Sequence, residues 1–121
     1  MRTRPDRLSR IALPSGTVTV DEHGYLTDPG LWSREFAEHA AGSEGIELTP
    51  RHWAVISFMR DWLDEHGIAA DARFVLDFLA RHEGLDRRGA KAALFELFPY
   101  GYVRQACKIA GMKQPRAWST G

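Results

Sequence analysis

The residues from Thr49 to Gly67 are TPRHWAVISFMRDWLDEHG, and they carry the clearest helix signal in this chain of 121 residues. Thr49 can cap a helix, Pro50 suits the first helical position, and Gly67 is a typical helix end. Apolar side chains between these limits form two adjoining stripes, made of Trp53, Val55, Ile56, Phe58, Met59, Trp62 and Leu63. An apolar arc this wide predicts a central helix that packs against neighbours on two sides.

Similar signals predict four more helices, one before this helix and three after it. Asp28 and Pro29 suggest the start of the first helix, and Gly42 marks its end. Gly84 and Gly111 mark the ends of two later helices, and Asp86 can cap another. The predicted ranges are Leu31–Ala41, Asp71–His82, Asp86 to about Phe98, and about Tyr102 to Ala110.

Two short β-prone runs, Arg10–Leu13 and Thr17–Val20, flank a Pro-Ser-Gly turn and predict a β-hairpin. The predicted fold is therefore mainly α (α+β). It is a small orthogonal bundle of about five helices with an N-terminal β-hairpin. We expect one domain at residues 9–111, a disordered N-terminal arm at 1–8, and a flexible C-terminal arm at 112–121.

The charges sum to zero but are distributed unevenly along the chain. With 16 basic and 16 acidic residues, the chain has no excess of cations, which argues against a non-specific nucleic-acid binder. Asp21–Pro50 holds seven acidic residues and one basic residue, whereas Arg81–Arg116 holds eight basic and three acidic residues. Either the two segments form solvated faces that oppose each other, or the basic one docks an acidic partner or an anionic ligand.

The single cysteine, Cys107, cannot form an internal disulfide, and a reducing compartment is the simplest setting for it. The N-terminal residues lack the apolar core of a signal peptide, and no apolar run reaches the length of a membrane span. We therefore expect a cytoplasmic protein without membrane contact.

Cys107 is also the only soft nucleophile in the chain. Arg104 on the same helical face and the adjacent Lys108 would favour its thiolate, as would Lys113 or Arg116 from the arm. The nearby helix C-terminus would oppose them. The alternative is that Cys107 fills space in the apolar core, as free cysteines often do.

Other chemistry finds little support in the sequence. The five histidines include no pair at helical ligand spacing, so we expect no metal site. No glycine-rich phosphate loop is present, and no cofactor is expected. The helices at 50–66 and 71–82 could form a helix-turn-helix, but Arg73 and Arg81 in the second are balanced by Asp71 and Asp77. DNA binding is thus the last-ranked hypothesis.

Several motifs resemble those of the DsrC/TusE/DsvC family, in the same order. They are VDEHGYL at 20–26, LTPRHW at 48–53, LFPYG at 97–101 and RQACKIAG at 104–111. The resemblance runs from about Val18 to Pro115. It implies a small, mostly helical bundle with an N-terminal hairpin and a flexible C-terminal arm.

The resemblance also implies sulfur carried as a persulfide, either with a sirohaem sulfite reductase or in the relay for tRNA thiolation. The family's principal carrier is a cysteine on the arm, and some members have a second on the last helix. Cys107 matches the helical cysteine, whereas the arm position holds Trp118. An internal trisulfide, which needs two cysteines, is therefore excluded.

From this we expect a sulfur-relay or sulfur-sensing protein that acts through Cys107 and docks to a sulfurtransferase or a sulfite reductase. It would be at most a persulfide carrier, not a stand-alone enzyme. Trp118, Arg116 and Lys113 are the candidate docking residues, although Trp118 could instead fold back onto the bundle. The alternative is a regulatory binding module that has lost sulfur carrying.

Overall fold

The computed structural model describes residues 8–113. The chain forms strands β1 and β2 and helices α1 to α5, which are Ser9–Leu13, Gly16–Val20, Arg34–Ser43, Pro50–His66, Ala72–Glu83, Arg87–Leu97 and Cys107–Ile109. A 3-10 turn at Pro29–Leu31 precedes α1, and a π-helical turn at Tyr102–Ala106 precedes α5. The predicted fold class, mainly α with an N-terminal hairpin, is confirmed.

The predicted domain limits lie at the edges of the described residues, and the division into one domain and two arms stays a prediction. Of the two arms, only Leu8, Met112 and Lys113 are described. Met112 is 1% exposed and belongs to the core.

The hairpin is antiparallel, with Ser9 opposite Val20 and Leu13 opposite Gly16. Val18 and Val20 are buried on its inner face. A two-stranded hairpin is marginal alone in water, so it depends on this packing. Leu26 forms a bridge with Val20, which returns the chain along β2 towards the bundle.

The first helix begins later than predicted. Asp28 caps only the 3-10 turn, Trp32 is extended, and α1 starts at Arg34. The hydroxyl of Ser33 accepts the Phe36 amide at 3.1 Å, so Ser33 supplies the N-cap. Gly42 was expected to end the helix, but α1 continues to Ser43.

Both apolar stripes of α2 are used in packing. Ile56 of one stripe and Val55 and Met59 of the other are fully buried in the core. Phe58, also of the second stripe, is half-buried against α3, where it stacks on Phe78 with 4.7 Å between ring centroids. Gly67 and Gly84 end α2 and α3 in the left-handed conformation, as their positions predict.

The last predicted helix, Tyr102 to Ala110, is divided into two parts. The Cys107 amide donates to the Tyr102 carbonyl, an i+5 bond that makes the first part a π-helical turn. In an α-helix, two residues five apart would point about 140° from each other. The wider turn reduces this angle, and both Tyr102 and Cys107 are buried.

Candidate functional site

Cys107 lies at the start of α5 with 0% of its surface exposed. It is part of the hydrophobic core, together with Tyr102, Ala106 and Ile109. Its carbonyl accepts the Met112 amide at 2.9 Å, so the residues that end the described chain close over the segment that holds it. A sulfur donor in solution cannot reach this thiol without movement of the surrounding chain.

Burial raises the pKa of the Cys107 thiol to about 12, and a hydrogen bond with the Tyr102 hydroxyl lowers it only in part. Tyr102 itself is buried, and its hydroxyl donates to the Ala70 carbonyl. Burial raises the pKa of Tyr102 above its ordinary value as well. In the folded state the cysteine is therefore a protonated thiol at neutral pH, not the thiolate that sulfur chemistry requires.

Arg104 and Lys108 were predicted to tune this thiolate. The exposed Arg104 guanidinium lies 5.8 Å from the centre of the Tyr100 ring. The ammonium of Lys108 donates to Glu44 at 2.8 Å. Burial and Tyr102 are the influences on the Cys107 pKa in the folded state, and neither cation is among them. Arg104 and Lys108 are thus close to Cys107 in sequence, but their contacts are with Tyr100 and Glu44.

Arg104 and Lys108 instead line a half-open cleft of about 460 Å³ with His23, Tyr25 and Val103. The Tyr25 hydroxyl donates to the Val103 carbonyl at 2.8 Å, which joins the exit of the hairpin to the π-helical turn. Burial is the main reason that the pKa of Tyr25 rises to about 12. The cleft therefore marks the seam between the N-terminal hairpin and the segment that carries Cys107.

Glu44 connects the end of α1 to the same segment. Its carboxylate accepts from Lys108 at 2.8 Å and from the buried Gln105 amide at 3.0 Å. Burial alone would raise the pKa of Glu44, but these two hydrogen bonds outweigh it and hold the pKa below its usual value. At this contact the acidic and basic segments of the sequence face each other inside one chain.

Two side chains that the sequence analysis did not select hold the end of α5. The Trp32 indole donates to the Ile109 carbonyl at 2.9 Å. The Arg60 guanidinium donates to the carbonyls of Ala110 at 3.0 Å and Pro29 at 2.9 Å. They satisfy carbonyls that a helix end leaves unpaired. The available signal was Arg60 itself, a cation four residues after Ile56 and three before Leu63, on an otherwise apolar stripe.

The remaining predicted site residues are only partly described. Lys113 is exposed, while Arg116 and Trp118 lie outside the described residues. Among residues 8–113, no group of three or more His, Cys, Asp or Glu side chains is arranged to hold a metal ion. No helix in the same range is long and apolar enough to cross a membrane.

Comparison with protein families gives a match over most of the chain. Residues 13–117 match the family described as "DsrC like protein". The chain is 37% identical over 99 residues to a protein named sulfurtransferase TusE from Pectobacterium atrosepticum, covering 82% of this chain and 90% of that protein. The sulfurtransferase TusE of Escherichia coli K12 is 37% identical over 98 residues, covering 81% of this chain and 89% of that protein.

Solved structures share the fold. The NMR structure of Allochromatium vinosum DsrC has a TM-score of 0.79 and 33% identity, covering 91% of this chain and 97% of that one. The crystal structure of the oxidized gamma-subunit of the dissimilatory sulfite reductase (DsrC) from Archaeoglobus fulgidus has a TM-score of 0.78 and 28% identity. The alignment covers 90% of this chain and 98% of that one.

Proposed function

This chain belongs to the DsrC-like protein family, and we propose that it is a sulfur-relay protein in which Cys107 takes up sulfur as a persulfide. In this role it docks to a sulfurtransferase or to a sirohaem sulfite reductase-like protein. The observation that carries the proposal is the place of Cys107. It is the only thiol of the chain, and it stands in the segment RQACKIAG within the matched region. The proposed setting is the cytoplasm, where a single thiol stays reduced.

The proposed uptake is a thiol–persulfide exchange. The Cys107 thiolate attacks the outer sulfur of a donor persulfide, R–S–S–H, and forms a new S–S bond. The S–S bond of the donor breaks, and the donor leaves as the thiolate R–S⁻. The transferred sulfur keeps its proton, so the product on the protein is a persulfide and no oxidant is needed.

Cys107 must be exposed before this exchange, because the folded thiol is buried and its pKa is about 12. The contacts that have to open are those that close α5, namely the Met112 amide on the Cys107 carbonyl and the Trp32 indole on the Ile109 carbonyl. Local opening of a short terminal element costs less than global unfolding. Docking of a partner is the step that would supply this opening.

Full burial of Cys107 favours a second candidate, a regulatory binding module that docks without carrying sulfur. In this case Cys107 is part of the core and its replacement by another small residue leaves docking intact. The two candidates differ in whether sulfur is found on Cys107 after contact with a donor.

Intact-mass spectrometry distinguishes them. The protein is incubated with a persulfide-loaded sulfurtransferase and, in parallel, with inorganic polysulfide; Cys107→Ala is the control for both. We expect a gain of one or more sulfur atoms in the wild type and none in the control. No gain from either donor, with a thiol that alkylates only in denaturant, would exclude the sulfur relay through Cys107 and leave the binding module.

A further inference from the structure

Helix α4 and the turn after it have a side that stays exposed to solvent in the described part of the chain. From Lys91 to Tyr100 the chain alternates regularly between two exposed and two buried residues. The exposed side of this stretch consists of Lys91, Ala92, Phe95, Glu96, Pro99 and Tyr100. We call these residues, with Arg88 one turn before Lys91 and Ala92, the α4 face.

The α4 face carries the exposed aromatic side chains of the described chain. Phe95 is 39% exposed and Tyr100 is 67% exposed. The other large apolar side chains exposed in residues 8–113 are aliphatic: Leu8, Leu31 and Ile68. Tyrosine is strongly enriched among residues that dominate binding energy at protein interfaces.

Tyr100 is held firmly although its ring is exposed. Its amide donates to the Gln105 side-chain carbonyl at 2.8 Å, and Gln105 is only 1% exposed. The next amide, that of Gly101, donates to the Phe98 carbonyl at 2.8 Å. Arg104 lies over the ring, with 5.8 Å from its guanidinium carbon to the ring centre. Because its backbone is fixed in this way, this residue loses little backbone entropy on binding.

The cations beside these rings are not neutralised within the described part of the chain. Arg88 and Lys91 are exposed and form no ion pair with any residue from 8 to 113, and the same holds for Arg104. Glu96, the one acid of the α4 face, is paired with Arg51 at 3.4 Å. The α4 face thus presents two exposed rings and two cations, with Arg104 over Tyr100 as a third, and these three charges are available to pair with an acidic partner.

We propose that the α4 face is a docking surface for an acidic, apolar-faced segment of the protein that exchanges sulfur with this chain. The apolar side of the segment packs on Phe95 and Tyr100, and its carboxylates pair with Arg88, Lys91 and Arg104. The inference rests on the proposed function for the identity of the partner. None of these residues is among Lys113, Arg116 and Trp118, the docking residues expected in the C-terminal arm.

The test uses the full chain with Cys107→Ser, so that binding is measured without sulfur transfer. The probe is a fluorescent amphipathic peptide of about 15 residues with glutamates on one face and leucines on the other. The same peptide with lysine at each glutamate is its control. Fluorescence anisotropy gives the affinity. We expect the acidic peptide to bind more tightly, and increasing salt to weaken its binding.

Tyr100→Ala is expected to weaken the acidic peptide about tenfold or more, as for an interface anchor. The double change Arg88→Ala and Lys91→Ala should weaken binding and reduce its dependence on salt. The matched controls are Ile68→Ala, an exposed apolar residue elsewhere, and Arg81→Ala, an exposed cation on α3. Neither should change the affinity, and circular dichroism checks that every variant folds.

Equal binding of the lysine peptide, or equal losses in Ile68→Ala and Tyr100→Ala, would overturn the proposal. Tighter binding of a short RNA, lost in the Arg88 and Lys91 variant, would also overturn it in favour of nucleic acid. Self-association in sedimentation that Tyr100→Ala abolishes would overturn it in favour of a second copy. Sulfur uptake by Cys107 from a loaded sulfurtransferase is measured by mass spectrometry whichever surface the partner uses, so a failed peptide experiment leaves the proposed function standing.

Discussion

Gly111 is the position where the packing around the site tolerates a side chain least. Its φ is 81°, a left-handed value that glycine adopts easily and other residues rarely adopt. A Cβ at this position would overlap the Trp32 side chain, at 2.8 Å from its Cγ and 2.9 Å from its Cβ. The same ring donates its indole N–H to Ile109 at 2.9 Å, so it cannot move away without losing that bond.

We predict that Gly111→Ala lowers the free energy of unfolding by about 2–4 kcal/mol, because steric overlap adds to the strained φ. Gly67→Ala is the matched control. Its φ is 77°, but no neighbouring atom lies within 4 Å of the added Cβ. The loss of stability in Gly67→Ala therefore comes from the strained backbone alone. Urea denaturation gives both values. Equal losses for the two variants would show that the Trp32 contact is unimportant.

A second residue-level prediction concerns access to Cys107. Tyr102→Phe leaves the Ala70 carbonyl without its donor and should cost about 1–3 kcal/mol. Because the thiol reacts from opened states, alkylation of Cys107 should be far slower than that of a free thiol, and faster in this variant than in the wild type. The readout is the rate of iodoacetamide labelling.

Tyr25→Phe is the comparison for that measurement, since it also loses a hydroxyl bond, to Val103 at 2.8 Å, but not one shared with the thiol. We expect a smaller increase in labelling rate from it. If the native wild-type protein is labelled as fast as an unstructured cysteine peptide, the buried position of Cys107 is refuted.

At the level of the helices, the start of α2 depends on one buried histidine. His52 Nδ1 accepts the Thr49 amide at 3.0 Å, and Nε2 donates to the Leu97 carbonyl at 2.8 Å. This arrangement uses the neutral ring with its proton on Nε2. Burial lowers the pKa of His52 and outweighs the hydrogen bond to Leu97, which acts in the opposite direction.

The lowered pKa of His52 predicts a loss of stability in mild acid. The unfolded histidine has a pKa of about 6.5 and binds a proton before the folded one does. Its contribution is therefore complete above that pH and decreases as the pH falls towards the folded pKa. Between about pH 7.5 and 5.5 the wild type should lose stability, and His52→Gln should start lower but change less.

His39→Gln is the control for this measurement, since His39 is exposed on α1. It should follow the wild-type pH dependence. Urea denaturation at several pH values measures all three proteins. A slope in His52→Gln as steep as in the wild type would assign the pH dependence to another group.

For the molecule as a whole, Glu44 joins distant parts of the chain. It follows α1 and holds Lys108 and Gln105, 64 and 61 residues later. Tyr25 makes a similar long-range bond to Val103, 78 residues away. These polar contacts join the hairpin and α1 to the segment with Cys107. Opening of that segment would therefore also loosen the hairpin and α1.

Glu44→Gln should lower the free energy of unfolding by about 1 kcal/mol at neutral pH, a value appropriate to a partly exposed pair. The pKa of Glu44 is lowered in the fold, so its contribution is present above the unfolded pKa and is lost as the pH falls through the folded pKa. The variant should thus be less sensitive to acid below about pH 4.5. Glu38→Gln, at an exposed position on α1, should resemble the wild type in urea denaturation at each pH.

The sequence predicted most of the fold because its signals are local. Thr49 and Pro50 mark the start of α2, and Gly67 marks its end. Gly84 marks the end of α3, and Asp86 marks the start of α4. The predicted start of α1 was wrong because two capping residues, Asp28 and Ser33, stand five residues apart, and the first caps only a 3-10 turn. The π-helical turn could not be predicted, since its extra residue is selected by the burial of Tyr102 and Cys107 and not by any local propensity.

The sequence left open whether Cys107 is a sulfur carrier or part of the core, and the surroundings of the thiol could not be predicted. Arg104 and Lys108 are close to Cys107 in sequence, yet their contacts are with Tyr100 and Glu44. The groups that touch or enclose the thiol segment come from remote positions, such as Ala70, Trp32 and Arg60. Sequence spacing cannot show such contacts, because they exist only after the bundle is assembled.

The π-helical turn also determines the direction in which the chain leaves the bundle. The turn absorbs one extra residue, so Cys107 follows Tyr102 at close to the angle that residues four apart have in an ordinary helix, about 40°. A deletion of one residue from Tyr102–Ala106 should therefore keep the direction of α5, with Ile109 and Ala110 still facing Trp32 and Arg60. If all residues were kept and the turn became an ordinary helix, residues 107–113 would rotate by about 100° and these carbonyls would leave their donors.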